Sequence, residues 1–476
     1  MVLRILNKSD FPKMDSKISI QPAKLISEQT YIAPKSLLVT ELFFQVPLDY
    51  SQPDSRTITL FAHRVTQHCT SKEDSAEPKR YLVYLEGGPG FGNAPPQDHP
   101  LTATALAKGY QLLLLDHRGT GLSTPVSTEM LSELGDADAQ ANYLKLMRQD
   151  NTVRDCEAVR KCLTEGWPEH LQSWSAHGQS YGGFISMSYL SMHPEGLKEV
   201  FLTGGLPPIG VPVDEVYRKT FGKAIERNQA YFSKFPQDTE AIIQIISFVK
   251  SSREPIVLPG GGFLTPQRLM TLGYAFGMHG GFDMIHSIIL RLKTSLDQFG
   301  FLSRASLSSV ETSIPFDDNI IYAILHEAIY CDGPIPSAWS ASRVGKQTDG
   351  YWWLKGDQEK SRADEPLYFS GEHVFPFHFD TYAELRPLKE VAEKLAHVND
   401  WPPLYDVDRL RKNEVPVYAA SFIEDLYVNY ELASRTAKLV KNTKVFETNL
   451  LYHNALRAKT DEVLPRLFSL RDEVID

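Results

Sequence analysis

The chain has 476 residues, 42% of them hydrophobic, 23% charged and 11% aromatic, the balance of a folded globular protein rather than a disordered, collagen-like or disulfide-built one. Its 49 Lys and Arg stand against 59 Asp and Glu, a formal charge of −10, which speaks against a basic nucleic-acid-binding protein. At roughly 150 residues per domain the length allows about three units, or one large α/β unit that carries an insertion.

The N-terminal stretch MVLRILNKSDFPK has an apolar run too short for a secretory leader. Residues 1–35 read as an extension ahead of the fold. Two alternating segments, residues 38–46 and 57–65, flank the turn-rich PLDYSQPDS and predict an antiparallel hairpin. Residues 67–79 are polar and charged, a surface loop. The pattern then changes to short continuous apolar runs separated by helices. Residues 81–85 (YLVYL), 111–115 (QLLLL), 171–176 and 199–203 are predicted strands. Residues 103–108, 143–165 and 181–192 are predicted helices. Such strands belong to a mostly parallel sheet covered on both faces. From about residue 209 to 400 the alternation stops and a long, aromatic-rich helical pattern takes over. It resumes with a strand at 415–420, a helix at 431–440 and a strand at 444–447. A last helix over 455–470 is expected to bend or break at Pro465.

The chain therefore divides into an extension (1–35), a core (36–208), a helical cap (209–400) and the rest of the core (401–476). The cap falls between the sixth and seventh core strands. The four cysteines, Cys69, Cys156, Cys162 and Cys331, form no CxxC pair and match no structural zinc spacing. They read as free thiols of a reducing, cytoplasmic setting. No run approaches the roughly 18 apolar residues that would cross a membrane. No metal and no cofactor is expected.

The strongest chemical signal is Gly178-Gln179-Ser180-Tyr181-Gly182. It matches G-x-S-x-G and lies between a predicted strand and a predicted helix. Glycines relieve the crowding of that sharp turn, and the following helix aims N–H groups at any negative charge formed there. Serine needs a base, and the base an orienting acid. In chain order these follow the last strands: Asp425, with Glu424 as its competitor, and His453. The loop Glu86-Gly87-Gly88-Pro89-Gly90 follows the strand at 81–85. Its backbone can approach a substrate carbonyl closely, so Gly87, or else Gly88, joins Tyr181 as an oxyanion donor. It lacks the GxGxxG spacing of a dinucleotide site. Asp116-His117-Arg118-Gly119-Thr120-Gly121 reads as a structural turn that ties loops near the nucleophile.

EGGPG, DHRGTGLS and GQSYGG, in this order, resemble the prolyl aminopeptidase (proline iminopeptidase) family of α/β-hydrolases. Most members have HGGPG where this chain has Glu86. The resemblance extends to FFQVPLDYSQPDSRTITLFAHRV, to His326-Glu327-Ala328-Ile329-Tyr330-Cys331 and Gly371-Glu372-His373-Val374-Phe375-Pro376 in the cap, and to Glu424-Asp425-Leu426-Tyr427-Val428 and Tyr452-His453-Asn454-Ala455-Leu456-Arg457. It is nearest to the larger members with a longer cap. It implies an α/β-hydrolase core and two cap glutamates, Glu327 and Glu372, that hold the free amine of the substrate. A pair of partly desolvated carboxylates suits a charged α-amino group. Phe375, Phe377 and Tyr330 lie close to them in sequence and are candidates to enclose a pyrrolidine ring.

The expected activity is that of a serine aminopeptidase releasing N-terminal proline from short peptides through an acyl-enzyme. A carboxylesterase or amidase on the same scaffold is the alternative, and a non-catalytic binding protein a more distant one.

Overall fold

The computed structural model describes residues 18–54, 56–68, 78–355 and 366–473. Cys69, most of the predicted 67–79 loop and residues 1–17 of the expected extension lie outside these residues. Nine strands form one sheet in the order β1-β2-β3-β5-β4-β6-β7-β10-β11. They are β1 (Lys24–Ala33), β2 (Leu37–Pro47), β3 (Thr57–Gln67), β4 (Tyr81–Leu85), β5 (Gln111–Leu115), β6 (Trp174–Gln179), β7 (Leu197–Thr203), β10 (Val417–Phe422) and β11 (Thr443–Thr448). From β5 to β11 every pairing is parallel, while β1, β2 and β3 join as an antiparallel edge.

The continuous apolar runs behave as a two-sided sheet requires. Val83 and Leu85 of β4 pack on one face with Val153 and Val159 of α1 (Gln149–Leu163) and with Phe184 and Ile185 of α2 (Tyr181–Met192). Leu82 and Tyr84 point the other way, into a cluster with Leu464, Leu467 and Phe468 of the helix Thr460–Asp472. Successive strand side chains alternate faces, so each run feeds two cores at once. Helix α2 is buried almost throughout, which explains why its sequence shows no polar stripe.

Two sequence expectations are corrected. Residues 24–33 are not an extension but the edge strand β1, paired with β2 along its length. Its side chains are exposed at every position but Ala33, so it carries no alternating signal. Counting β1, the cap lies between the seventh and eighth strands of the sheet. The helix expected over 143–165 is two helices, Ala137–Lys145 and α1, parted at an extended Arg148. The Arg148 guanidinium reaches away to the carbonyls of Cys331 and Pro402 at 2.7 Å each, and this tertiary demand overrides local helix preference.

Between β7 and β10 stand the cap helices, among them Val213–Lys234, Asp238–Ser251, Gly281–Phe299 and Lys389–Ala396, with a two-stranded hairpin, β8 (Ile256–Val257) and β9 (Phe263–Leu264). These helices enclose a large apolar core, with Tyr231, Phe276, Ile289 and Phe369 inside it, which continues into Leu144, Met147 and Tyr427 outside the cap. It meets the sheet domain at the carboxyl ends of the parallel strands, where Tyr322 of the cap packs on Phe91 with ring centroids 5.1 Å apart.

Candidate active site

Four strand ends supply the site. Glu86 follows β4, Ser180 follows β6, Asp425 lies just beyond β10 and His453 just beyond β11. Parallel strands leave their carboxyl ends on one rim, which is why residues so far apart in sequence meet there.

Ser180 occupies the turn between β6 and α2 with φ 55° and ψ −122°, a conformation that side chains rarely adopt. The turn is tight because α2 starts against the sheet. A Cβ on Gly182 would lie 1.9 Å from the Leu85 carbonyl oxygen, and one on Gly183 2.1 Å from that of Gly205. Only glycine fits at either place. The Ser180 N–H donates to the Thr203 oxygen at 3.0 Å and holds the turn in place.

The Ser180 hydroxyl and His453 Nε2 are 2.8 Å apart, and His453 Nδ1 is 2.8 Å from Asp425 Oδ2. A carboxylate only accepts, so Nδ1 carries the proton and Nε2 is left to accept from serine. The other oxygen of Asp425 takes the N–H groups of Tyr427 at 2.8 Å and Val428 at 3.0 Å. Glu424, the competing acid, points elsewhere and pairs with Lys223 at 3.6 Å. Burial works against a charged imidazole at His453, but the Asp425 carboxylate, with Glu372 adding to it, outweighs that and holds the ring above its ordinary pKa. The Tyr427 ring stands edge-on to the imidazole at 4.6 Å. The cap braces this loop: His453 N–H donates to the Gly277 oxygen at 3.2 Å and His279 N–H to Asn454 Oδ1 at 2.9 Å.

The glycine loop lies against Ser180. A Cβ on Gly87 would be 3.1 Å from Ser180 Cβ. The Gly87 N–H, the expected oxyanion donor, is already engaged by Glu86 Oε1 at 2.7 Å. Among the described residues no group accepts from the Gly88 N–H, and Tyr181, in the first turn of α2, has no intrahelical acceptor either. Asp116 and Arg118 perform the structural work expected of them. Asp116 accepts from the N–H groups of Asn93 and Leu122, and buried Arg118 grips Asp155 of α1 and the Leu48 carbonyl.

The two cap glutamates are differently placed. Glu372 accepts from the Tyr322 hydroxyl at 2.5 Å and lies 3.5 Å from His326 Nε2, and its charge is felt at His453. Glu327 is buried, and its two oxygens take the N–H groups of Ser340 and Ala341 at 3.1 and 2.9 Å, the start of the helix Ser340–Lys346. Burial raises its pKa against the pull of those donors. Tyr330 connects the groups: its hydroxyl is pushed up by burial and by the charges of Glu372, Asp425 and Glu327. Of the three aromatic candidates, Tyr330 stands at this seam beside Phe184 and Tyr217. Phe375 is fully buried in the cap core and stacks on Phe377 at 5.2 Å.

Sequence reasoning did not single out Tyr322, His326 or Arg457 for the site. The last two stood inside quoted motifs; Tyr322 carried no signal beyond its place four residues before His326. The one group of potential metal ligands among the described residues is Glu157, His193 and Glu195, and Glu157 is already committed to Arg160 and Tyr189.

The arrangement can serve hydrolysis: a hydroxyl, an imidazole and a carboxylate in line, two N–H groups nearby without a partner among the described residues, and the Glu372 carboxylate close enough to act on the imidazole. A profile of the alpha/beta hydrolase fold matches residues 81–242. The chain is 40% identical over 458 residues to a proline iminopeptidase of Aspergillus aculeatus, covering 96% of this chain and 99% of that one. It is 39% identical over 431 residues to a proline iminopeptidase of Aeromonas sobria, covering 90% and 95% respectively.

Proposed function

The chain belongs to the proline iminopeptidase family of α/β-hydrolases, and from that premise we propose how its residues divide the work and which substrate they select. The enzyme is a prolyl aminopeptidase. In the proposed reaction a peptide with a free N-terminal proline enters beneath the cap. Ser180 Oγ attacks the carbonyl of that proline while His453 Nε2 takes its proton. Asp425 keeps the imidazole in the required tautomer and offsets the charge it gains. The N–H groups of Tyr181 and Gly88 receive the oxyanion, the Gly87 N–H being held by Glu86. Collapse of the adduct breaks the peptide bond, and the proton on Nε2 passes to the leaving amine. Water, deprotonated by the same nitrogen, then releases proline from Ser180.

Glu372 is assigned the main hold on the substrate amine, with Glu327 behind it. The observation that carries the reading is the continuous line Ser180–His453–Asp425 with the Glu372 carboxylate close enough to act on His453. An amine bound at Glu372 sets the first carbonyl, and no later one, beside the nucleophile. The three free cysteines Cys156, Cys162 and Cys331 favour a reducing, cytoplasmic location, and no helix among the described residues is long and apolar enough to cross a membrane.

The test is a panel of aminoacyl amides with free and N-acetylated proline. Proline should be preferred over other first residues, and acetylation should abolish cleavage. Equal turnover of the acetylated amide would favour the amidase alternative.

A further inference from the structure

We propose that Glu86 and Arg457 form a positioning clamp that fixes the glycine loop against the nucleophile turn, so that the Gly88 N–H, not that of Gly87, is presented to the oxyanion. The inference rests on the reading of Ser180 as nucleophile and deepens it.

Glu86 stands at the position where the family most often has histidine. Its side chain is 3% exposed, and a carboxylate so far from water needs matched partners. It has three. Oε2 pairs with Arg457 Nη2; Oε1 accepts from the Gly87 N–H at 2.7 Å and faces the Tyr84 hydroxyl at 3.4 Å. The guanidinium reaches a further element: Nη1 donates to Gln179 Oε1 at 3.3 Å, on the residue before Ser180. Arg457 itself stands on the short helix Ala455–Ala458 that follows His453. One ion pair thus ties the glycine loop, the nucleophile turn and the base loop together. There is little slack among them: a Cβ on Gly87 would lie 3.1 Å from both Gln179 Oε1 and Ser180 Cβ, tighter than an ordinary contact. A shift of the loop by a few tenths of an ångström would misplace a donor whose value depends on its aim.

The clamp also carries charge. The groups that act on His453 are Asp425 beyond β10, Glu372 from the cap and Arg457 on its own segment, and the un-ionised Tyr427 ring packs beside it. Arg457 opposes the imidazolium, and Glu86 neutralises Arg457. Loss of either member therefore moves His453 in opposite directions. Without Glu86 the uncompensated guanidinium lowers the pKa of His453; without Arg457 it rises.

The experiment compares wild type, Glu86→Gln, Arg457→Gln, the double variant and Arg457→Lys, using proline amide cleavage across pH and a fluorophosphonate to titrate Ser180. The Arg457 side chain is 46% exposed, so Glu86→Gln leaves it in reach of water and the fold is expected to persist, as a thermal melt will check. Each single variant should lose about 10- to 100-fold in kcat with KM within about threefold. The acid limb of kcat/KM should move to lower pH in Glu86→Gln and to higher pH in Arg457→Gln. The double variant should be no worse than the worse single, as for two parts of one unit. Arg457→Lys, which keeps the charge and loses the second contact, should lower kcat with little movement of the limb. Unchanged kcat in both single variants, limbs that move together, or losses that multiply in the double variant would each overturn the clamp. A wild type that cleaves proline amide yet is not labelled at Ser180 would instead overturn the nucleophile assignment beneath it.

Discussion

At Ser180 chemistry and stability pull in opposite directions. Its positive φ is a strained state for a side chain, worth about 1–3 kcal/mol. Ser180→Gly should therefore raise the melting temperature while removing activity, and Ser180→Ala should remove activity by roughly five to six orders of magnitude without that gain. A melt and an assay on the same samples check both. The pH profile belongs to His453. In the proposed reaction its neutral form is the base, and Asp425 raises its pKa above the ordinary 6.5. The acid limb of kcat/KM should thus have its midpoint above about 6.5. In Asp425→Asn the raising charge is gone and burial remains, so the limb of the residual activity, about 10⁴-fold lower, should move below that value. At the cap, Glu372→Gln should reduce kcat/KM by about 2–5 kcal/mol with little change in stability. Glu327→Gln should also lower the melting temperature, because its oxygens hold the N–H groups of Ser340 and Ala341. The meeting of Ser180, Asp425 and His453 was legible because each follows a strand. Asp425 over Glu424 was not, since one residue of turn geometry decides it, and neither was the engagement of Gly87, since that depends on the rotamer of Glu86.

Among the elements, the helix after the nucleophile shows how glycine can be required in one place and merely tolerated in another. Gly183→Ala drives a methyl into the backbone of Gly205 and should destabilise by more than about 3 kcal/mol, since backbone on both sides leaves no room to relax. Gly222, inside the helix Val213–Lys234, has open space where its Cβ would be. Gly222→Ala should stabilise by about 0.5–1 kcal/mol. Urea titration of the two variants makes the comparison. The parallel strands could be read from sequence because both faces are buried and the runs are continuously apolar. Strand β1 could not: KLISEQTYIA gains its order from pairing with residues 37–45 of β2 beside it, not from any pattern of its own. The last helix breaks at Lys459, with φ −141° and ψ 40°, and Pro465 is carried inside the helix Thr460–Asp472. Val463, Leu464, Leu467 and Phe468 are all buried on the sheet, and that packing outweighs the lost hydrogen bond.

For the whole molecule, the charge of −10 acts on the substrate more than on the fold. Proline amide is a cation, whereas a dipeptide with a free carboxylate is neutral overall. Raising the salt concentration from about 0.01 to 0.15 M shortens the screening length from about 30 to 8 Å. The kcat/KM for proline amide should fall over that range, and that for the dipeptide should fall less; equal slopes would place the attraction wholly within the site. The helical stretch between β7 and β10 was legible from the change in periodicity, but part of its contact with the site was not, because Tyr322 and Gly277 reach the site from segments whose sequence reads only as helical and aromatic. The cap has one more effect, on time. His453 comes 273 positions after Ser180, and the cap supplies most of that stretch. At roughly 5–20 residues per second a ribosome needs on the order of ten seconds to a minute to make them. Throughout that interval the nucleophile has been synthesised and its base has not. On the proposed mechanism the nascent chain is a peptidase without activity until the final strand joins the sheet and brings His453 to Ser180, and the appearance of turnover in a translation reaction should mark the completion of the fold.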